Sequence, residues 1–123
     1  MFEISVESSF AAAHFLRGYP GNCEKIHGHN WKVRATARVR KLNRLGFGLD
    51  FREFQSILRD VTGQLDHQNL NELRQFRKQN PSAENIARWI FENLEGRLRR
   101  GPAKLKGVQV WESETNAVIY EER

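Results

Sequence analysis

Cysteine is nearly absent from this chain: one, Cys23, in 123 residues. A single thiol closes no internal disulfide, so a reducing cytoplasm is the natural setting. No apolar run is long enough to cross a membrane, which argues against a membrane partner. The opening residues, Met1-Phe2-Glu3-Ile4-Ser5-Val6-Glu7, alternate like a strand and lack the basic-then-apolar order of a secretory leader. Internal repeats, linkers and low-complexity segments are missing too, which leaves one domain, residues 1–123, around one core. No basic tail and no nucleic-acid motif is visible.

What is present is an ordinary globular composition, 39% hydrophobic and 28% charged. Eight phenylalanines and three tryptophans supply large surfaces for burial. The net charge of +5 suits an anionic partner, either nucleic acid or a phosphorylated small molecule. The cations are spread along the chain, from Arg34, Arg38, Arg40 and Lys41 to Arg97, Arg99 and Arg100, and most read as a solvated surface.

Residues 2 to about 15 read as one long strand, with Phe2, Ile4 and Val6 alternating against Glu3, Ser5 and Glu7. Gly18-Tyr19-Pro20-Gly21-Asn22 is a turn-rich loop. A second strand places Trp31, Val33, Ala35, Ala37 and Val39 on one face and Lys32, Arg34, Thr36, Arg38 and Arg40 on the other. Antiparallel pairing of the two would bring His14 near His27 and His29. A helix is predicted from Asp50, with Asp50 as N-cap, Glu53 completing a capping box, and Phe51, Phe54, Ile57, Leu58, Val61 and Leu65 as its buried stripe. A second helix starts at Pro81-Ser82 with Ser82 as cap, burying Ile86, Trp89, Ile90 and Leu94. Two short strands follow, around Val108–Trp111 and Ala117–Tyr120. The order ββααββ predicts an α+β domain, an antiparallel sheet with two helices on one face.

Chemistry concentrates in Cys23-Glu24-Lys25-Ile26-His27-Gly28-His29. In an extended segment His27 and His29 point the same way, and Gly28 lets backbone approach a ligand. With His14 they reach the three nitrogens of a catalytic metal site that keeps one open position. The competing reading is three unrelated polar histidines at strand ends. Cys23 is either a small buried hydrophobe or, beside a cation, a thiolate base or nucleophile. Asp66 and His67 offer an adjacent carboxylate and imidazole for proton transfer, although Asp66 also suits a cap at the helix exit. Glu112 follows a strand and suits a guanidine-like edge such as a pterin presents; Glu114 competes with it, and spacing does not choose.

These motifs resemble the 6-pyruvoyl-tetrahydropterin synthase and 6-carboxytetrahydropterin synthase family almost end to end. The resemblance rests on Phe10-Ala11-Ala12-Ala13-His14, Cys23-x-x-x-His27-Gly28-His29-Asn30, Leu49-Asp50-Phe51, Leu65-Asp66-His67-x-x-Leu70-Asn71, Asn80-Pro81-Ser82-Ala83-Glu84-Asn85 and Val110-Trp111-Glu112-Ser113. It looks closest to the carboxytetrahydropterin branch, which supplies the precursor of queuosine and other deazapurines. The resemblance implies zinc on His14, His27 and His29, Cys23 as catalytic thiolate, and Asp66 with His67 as a proton relay. It also implies Glu112 as pterin anchor, helped by Ser82. The implied substrate is 7,8-dihydroneopterin triphosphate, giving 6-carboxy-5,6,7,8-tetrahydropterin, acetaldehyde and triphosphate. The implied fold is a T-fold, in which sheets from several subunits join into a barrel with active sites at subunit interfaces, here a hexamer of two trimers.

Glu24 follows Cys23, so the motif also reads Glu-x-x-His-Gly-His. In a folate-pathway branch a glutamate near this place replaces the cysteine, and the product is 6-hydroxymethyl-dihydropterin. Formation of 6-pyruvoyl-tetrahydropterin is the other enzymatic alternative. A basic nucleotide- or RNA-binding module is the non-enzyme alternative, and it leaves the cysteine–histidine constellation without a purpose.

Overall fold

Two 13-residue strands, β1 (Phe2–His14) and β2 (His27–Val39), pair antiparallel along their whole length in the computed structural model, which describes residues 1–21 and 25–122. Their alternating sequences dictate this. Val6, Phe10 and Ala12 of β1 and Trp31, Val33, Ala35, Ala37 and Val39 of β2 are all buried on one face. The opposite face carries charges that neutralise one another across strands. Glu7 accepts from Arg34 Nε at 2.8 Å and lies 3.5 Å from Lys32, while Glu3 pairs with Arg38 and Lys106.

The buried face is covered by α1 (Phe51–Gly63) and α2 (Ala83–Leu98). Phe54, Ile57, Leu58 and Val61 of α1 join Ile86, Ile90, Phe91 and Leu94 of α2 and the sheet residues in one core. Asp50 caps α1 as expected, but its side chain accepts from Arg52 N at 2.8 Å, and no bond from Glu53 closes a capping box. Phe51, expected in the buried stripe, is 64% exposed. It sits at the first helical position, ahead of the turn that reaches the sheet. Leu65 is buried although the helix ends at Gly63, because the chain turns back under the core there. Ser82 caps α2 by accepting from Asn85 N at 3.2 Å.

The sheet is completed by β4 (Lys104–Trp111) and β5 (Ala117–Glu121), both antiparallel. The expected ββααββ order gains one element: β3, only Gln68–Asn69, runs parallel to β1 opposite Ala12 and Ala13. The strand order is β3-β1-β2-β4-β5, so the outer edges of β1 and β5 are left for the most part without strand partners in the single chain. Among the described residues no helix is long and apolar enough to cross a membrane.

The end of the sheet remote from His14 is closed tightly. A β-carbon on Gly48 would overlap the Val39 side chain and lie 3.0 Å from Ile4 Cδ1. Gly48→Ala is expected to cost about 1–3 kcal/mol through overpacking, read as a lower urea midpoint with an unchanged slope. An unchanged midpoint would show that this corner yields freely.

Candidate active site

The β1–β2 register sets His14 directly opposite His27 and Ala12 opposite His29. All three imidazoles therefore project from the core-facing side, at the open end beyond Trp31. Their ring centroids lie 4.7 to 5.2 Å apart, and one donor atom from each falls within 4.8 Å of the others. Trp31 forms the floor, edge-on to His14 at 4.9 Å and to His29 at 5.3 Å. Its indole N–H is fixed by Ala12 O at 3.3 Å.

Hydrogen bonds orient the rings. His14, 1% exposed, donates from Nδ1 to Pro81 O at 2.7 Å, and His27 donates from Nδ1 to Lys25 O at 2.8 Å. A carbonyl only accepts, so Nδ1 carries the hydrogen in each ring and Nε2 is left with a lone pair. His14 Nε2 and His29 Nε2 are buried without any hydrogen-bond partner. Burial holds both imidazoles below their ordinary pKa, against the opposing pull of the Pro81 carbonyl on His14 and of the Glu112 carboxylate on both. Neutral imidazoles with buried, unpaired lone pairs are what a borderline-soft divalent cation requires, so these residues fit a metal.

Glu112, just past β4, reaches the rim of this group. Its carboxylate oxygens lie 3.9 Å from His14 Nε2 and 3.6 Å from His29 Nε2. Since burial favours neutral rings, these are close approaches rather than ion pairs. Glu114 is exposed and makes no such approach.

Asp66 and His67 form a second group. His67 adopts a left-handed backbone, φ 59°, and its Nδ1 lies 2.9 Å from Asp66 Oδ2. Rather than capping the helix exit, Asp66 accepts from Ala11 N at 2.9 Å through Oδ1, while His67 N donates to Ala11 O at 2.6 Å. The Ala11 amide, reinforced by His67, holds the Asp66 carboxyl below the usual carboxylate range. The pair is thus strapped to the outer edge of β1, with the His67 side chain 83% exposed. No hydrogen bond or ion pair joins it to the three histidines among the described residues. One residue from each group, His29 and His67, lines an open cleft of about 510 Å³ together with Ala11, Ala13 and Gly28. Ser82 acts visibly as the α2 cap, next to the Pro81 carbonyl that holds His14. Cys23 and Glu24 lie outside the described residues. Sequence reasoning missed Pro81 O, because a backbone acceptor leaves no residue-type signal.

A three-histidine group that fits a metal sits here on an α+β unit of the T-fold class, and solved structures share the architecture. Caenorhabditis elegans 6-pyruvoyl tetrahydropterin synthase superposes with a TM-score of 0.87 at 24% identity, covering 99% of this chain and 96% of that one. The family model described as 6-pyruvoyl tetrahydropterin synthase matches residues 3–123, and the chain belongs to that enzyme family. Among its relatives, the 6-carboxy-5,6,7,8-tetrahydropterin synthase of Synechocystis is 34% identical over 125 residues, covering 98% of this chain and 93% of the relative. The dihydroneopterin monophosphate aldolase of Pyrococcus furiosus is 33% identical over 120 residues, covering 96% of each.

The lowered imidazole pKa values give a signed expectation for metal-free protein. The unfolded chain takes up these protons more readily, so the stability is present above the ordinary imidazole value of 6.5 and lost as pH falls below it. Melting temperatures of metal-stripped protein should fall on acidification below that value, and less steeply in His14→Gln. Parallel pH profiles for the two proteins would contradict this.

Proposed function

We propose that this protein is a zinc-dependent 6-carboxy-5,6,7,8-tetrahydropterin synthase acting on 7,8-dihydroneopterin triphosphate and releasing acetaldehyde and triphosphate. The observation that carries the reading is the convergence of His14, His27 and His29, two with orphaned buried nitrogens, in a chain whose relatives include enzymes of that name. A zinc ion on these three nitrogens supplies Lewis-acid polarisation of a substrate hydroxyl or carbonyl oxygen.

The chain's own residues do the rest. The Glu112 carboxylate accepts two hydrogen bonds from the amidine edge of the pterin, with Ser82 and its neighbouring backbone as helpers. Cys23, as thiolate, takes a carbon-bound proton once the resulting charge delocalises into the ring. Asp66 stays ionised and holds His67 Nδ1–H, which frees His67 Nε2 to exchange a proton with the substrate side chain. Basic side chains hold the triphosphate by charge. The bare edges of β1 and β5 support assembly into the hexamer of two trimers that the resemblance implies, and a lone cysteine suits the cytoplasm.

A second reading is favoured by the Pyrococcus furiosus relative and by Glu24 beside Cys23: aldol cleavage to 6-hydroxymethyl-dihydropterin. The 6-pyruvoyl product is the remaining sister outcome.

Mass spectrometry after incubation of zinc-loaded protein with dihydroneopterin triphosphate decides among them. Carboxytetrahydropterin with acetaldehyde is expected; a hydroxymethyl or pyruvoyl product would reassign the enzyme to a sister reaction. Cys23→Ala should retain zinc and lose turnover by about a hundredfold or more, whereas His29→Ala should lose zinc. Wild-type turnover in Cys23→Ala would remove the thiol from the mechanism.

A further inference from the structure

Beyond His14, β1 has no strand to pair with, yet its backbone is not left bare. In an extended chain the N–H and C=O of one residue point to the same edge, and those of the next residue to the other edge. Ala11, Ala13 and Phe15 therefore present their polar groups to the edge away from β2, and Arg17 follows at the start of a turn. Ala11 is met by Asp66 and His67, and Ala13 lies opposite Asn69 of β3. At Phe15 the partner becomes a side chain. Asn71 Oδ1 accepts from Phe15 N at 2.9 Å, and Asn71 Nδ2 donates to Phe15 O at 3.0 Å. At Arg17 the same exchange is made by Asn80, at 2.9 and 3.1 Å. The Asn71 carboxamide stands in for one residue of a missing strand, and the Asn80 carboxamide holds the turn that follows.

The second carboxamide also fixes what His14 touches. Asn80 precedes Pro81, whose carbonyl takes the His14 Nδ1–H. Asn80 O is held in turn by Asn85 Nδ2 at 2.8 Å, and Ser82 is held by its cap of α2. The Arg17 guanidinium ties the two clamps together by donating to Gln79 O and Asn71 O, each at 3.2 Å. One frame thus sets both the backbone of the His14 segment and the acceptor that orients its ring.

We propose that Asn71 and Asn80 are positioning residues of the metal centre. They hold His14 in the Nδ1–H tautomer with Nε2 turned toward His27 and His29. This rests on the reading of the three histidines as metal ligands. Partners that fix a ligand's tautomer and orientation tune metal affinity by about 10- to 100-fold.

Cobalt(II), added alone to metal-stripped protein, is the probe, since its visible bands report both occupancy and ligand geometry. Asn80→Ala is expected to weaken Co²⁺ binding by about 10- to 100-fold and to change the band positions. Asn80→Asp, which keeps the acceptor for Arg17 N and loses the donor to Arg17 O, should fall between. Gly48→Ala, destabilised at the far end of the β1–β2 pair, should bind Co²⁺ like wild type, which separates positioning from general loss of stability. Wild-type affinity and bands in both Asn71→Ala and Asn80→Ala would overturn the proposal alone. A wild-type protein that takes up no Co²⁺ would overturn the metal reading and the proposal with it. Should the variants not fold, nitrogen-15 NMR of metal-free wild type decides: a proton on His14 Nδ1 is expected, and a proton on Nε2 refutes the clamp.

Discussion

The three histidines of the candidate site take their places from the register between β1 and β2. With Phe10 opposite Trp31 and His14 opposite His27, one face of the pair carries the aromatic core and then, at its end, three imidazoles. Strand side chains alternate with a period of two, so a slip of one residue would send Trp31, Val33, Ala35 and Ala37 to the charged face. The core therefore enforces the register, and the register assembles the histidines. Packing energy far from the site is what brings the donor atoms together.

The same arrangement makes the three-histidine group costly when nothing is bound to it. Two imidazole nitrogens are buried with no partner, in rings that burial keeps neutral. An unmade hydrogen bond in a buried place is a penalty that a bound cation relieves. Stability has been yielded at this end of the sheet, whereas on the opposite face Glu3 and Glu7 pair across strands with Arg38, Lys106, Lys32 and Arg34.

The second titratable pair obeys a different logic. Asp66 and His67 are bound to the β1 edge through Ala11 and stand open to solvent, and His67 lines a cleft that His29 also lines. An exposed histidine beside an open cleft is half of an arrangement. Within the proposed function, the cleft gives both groups access to one substrate, and a subunit joined along that edge would close it from water.

Much of this was legible in the residues themselves. Alternation in β1 and β2, the Asp50 and Ser82 caps and the helical stripes of α1 and α2 are local signals, because face and period follow from backbone geometry alone. The histidine group was legible for the same reason: once two strands pair antiparallel, their facing ends must meet. Other features were not. Phe51 has the spacing of a core residue and is exposed, since period gives a face but not how far the neighbouring layer extends. Which of Glu112 and Glu114 approaches the rings showed only once the end of β4 was placed. The Asn71 and Asn80 clamps join positions 56 and 63 residues apart. Sequence by itself determined which side chains share a face; tertiary structure alone decided which distant carbonyl or carboxamide each one meets, because backbone polar groups must be satisfied in space and carry no mark of their partner in the chain.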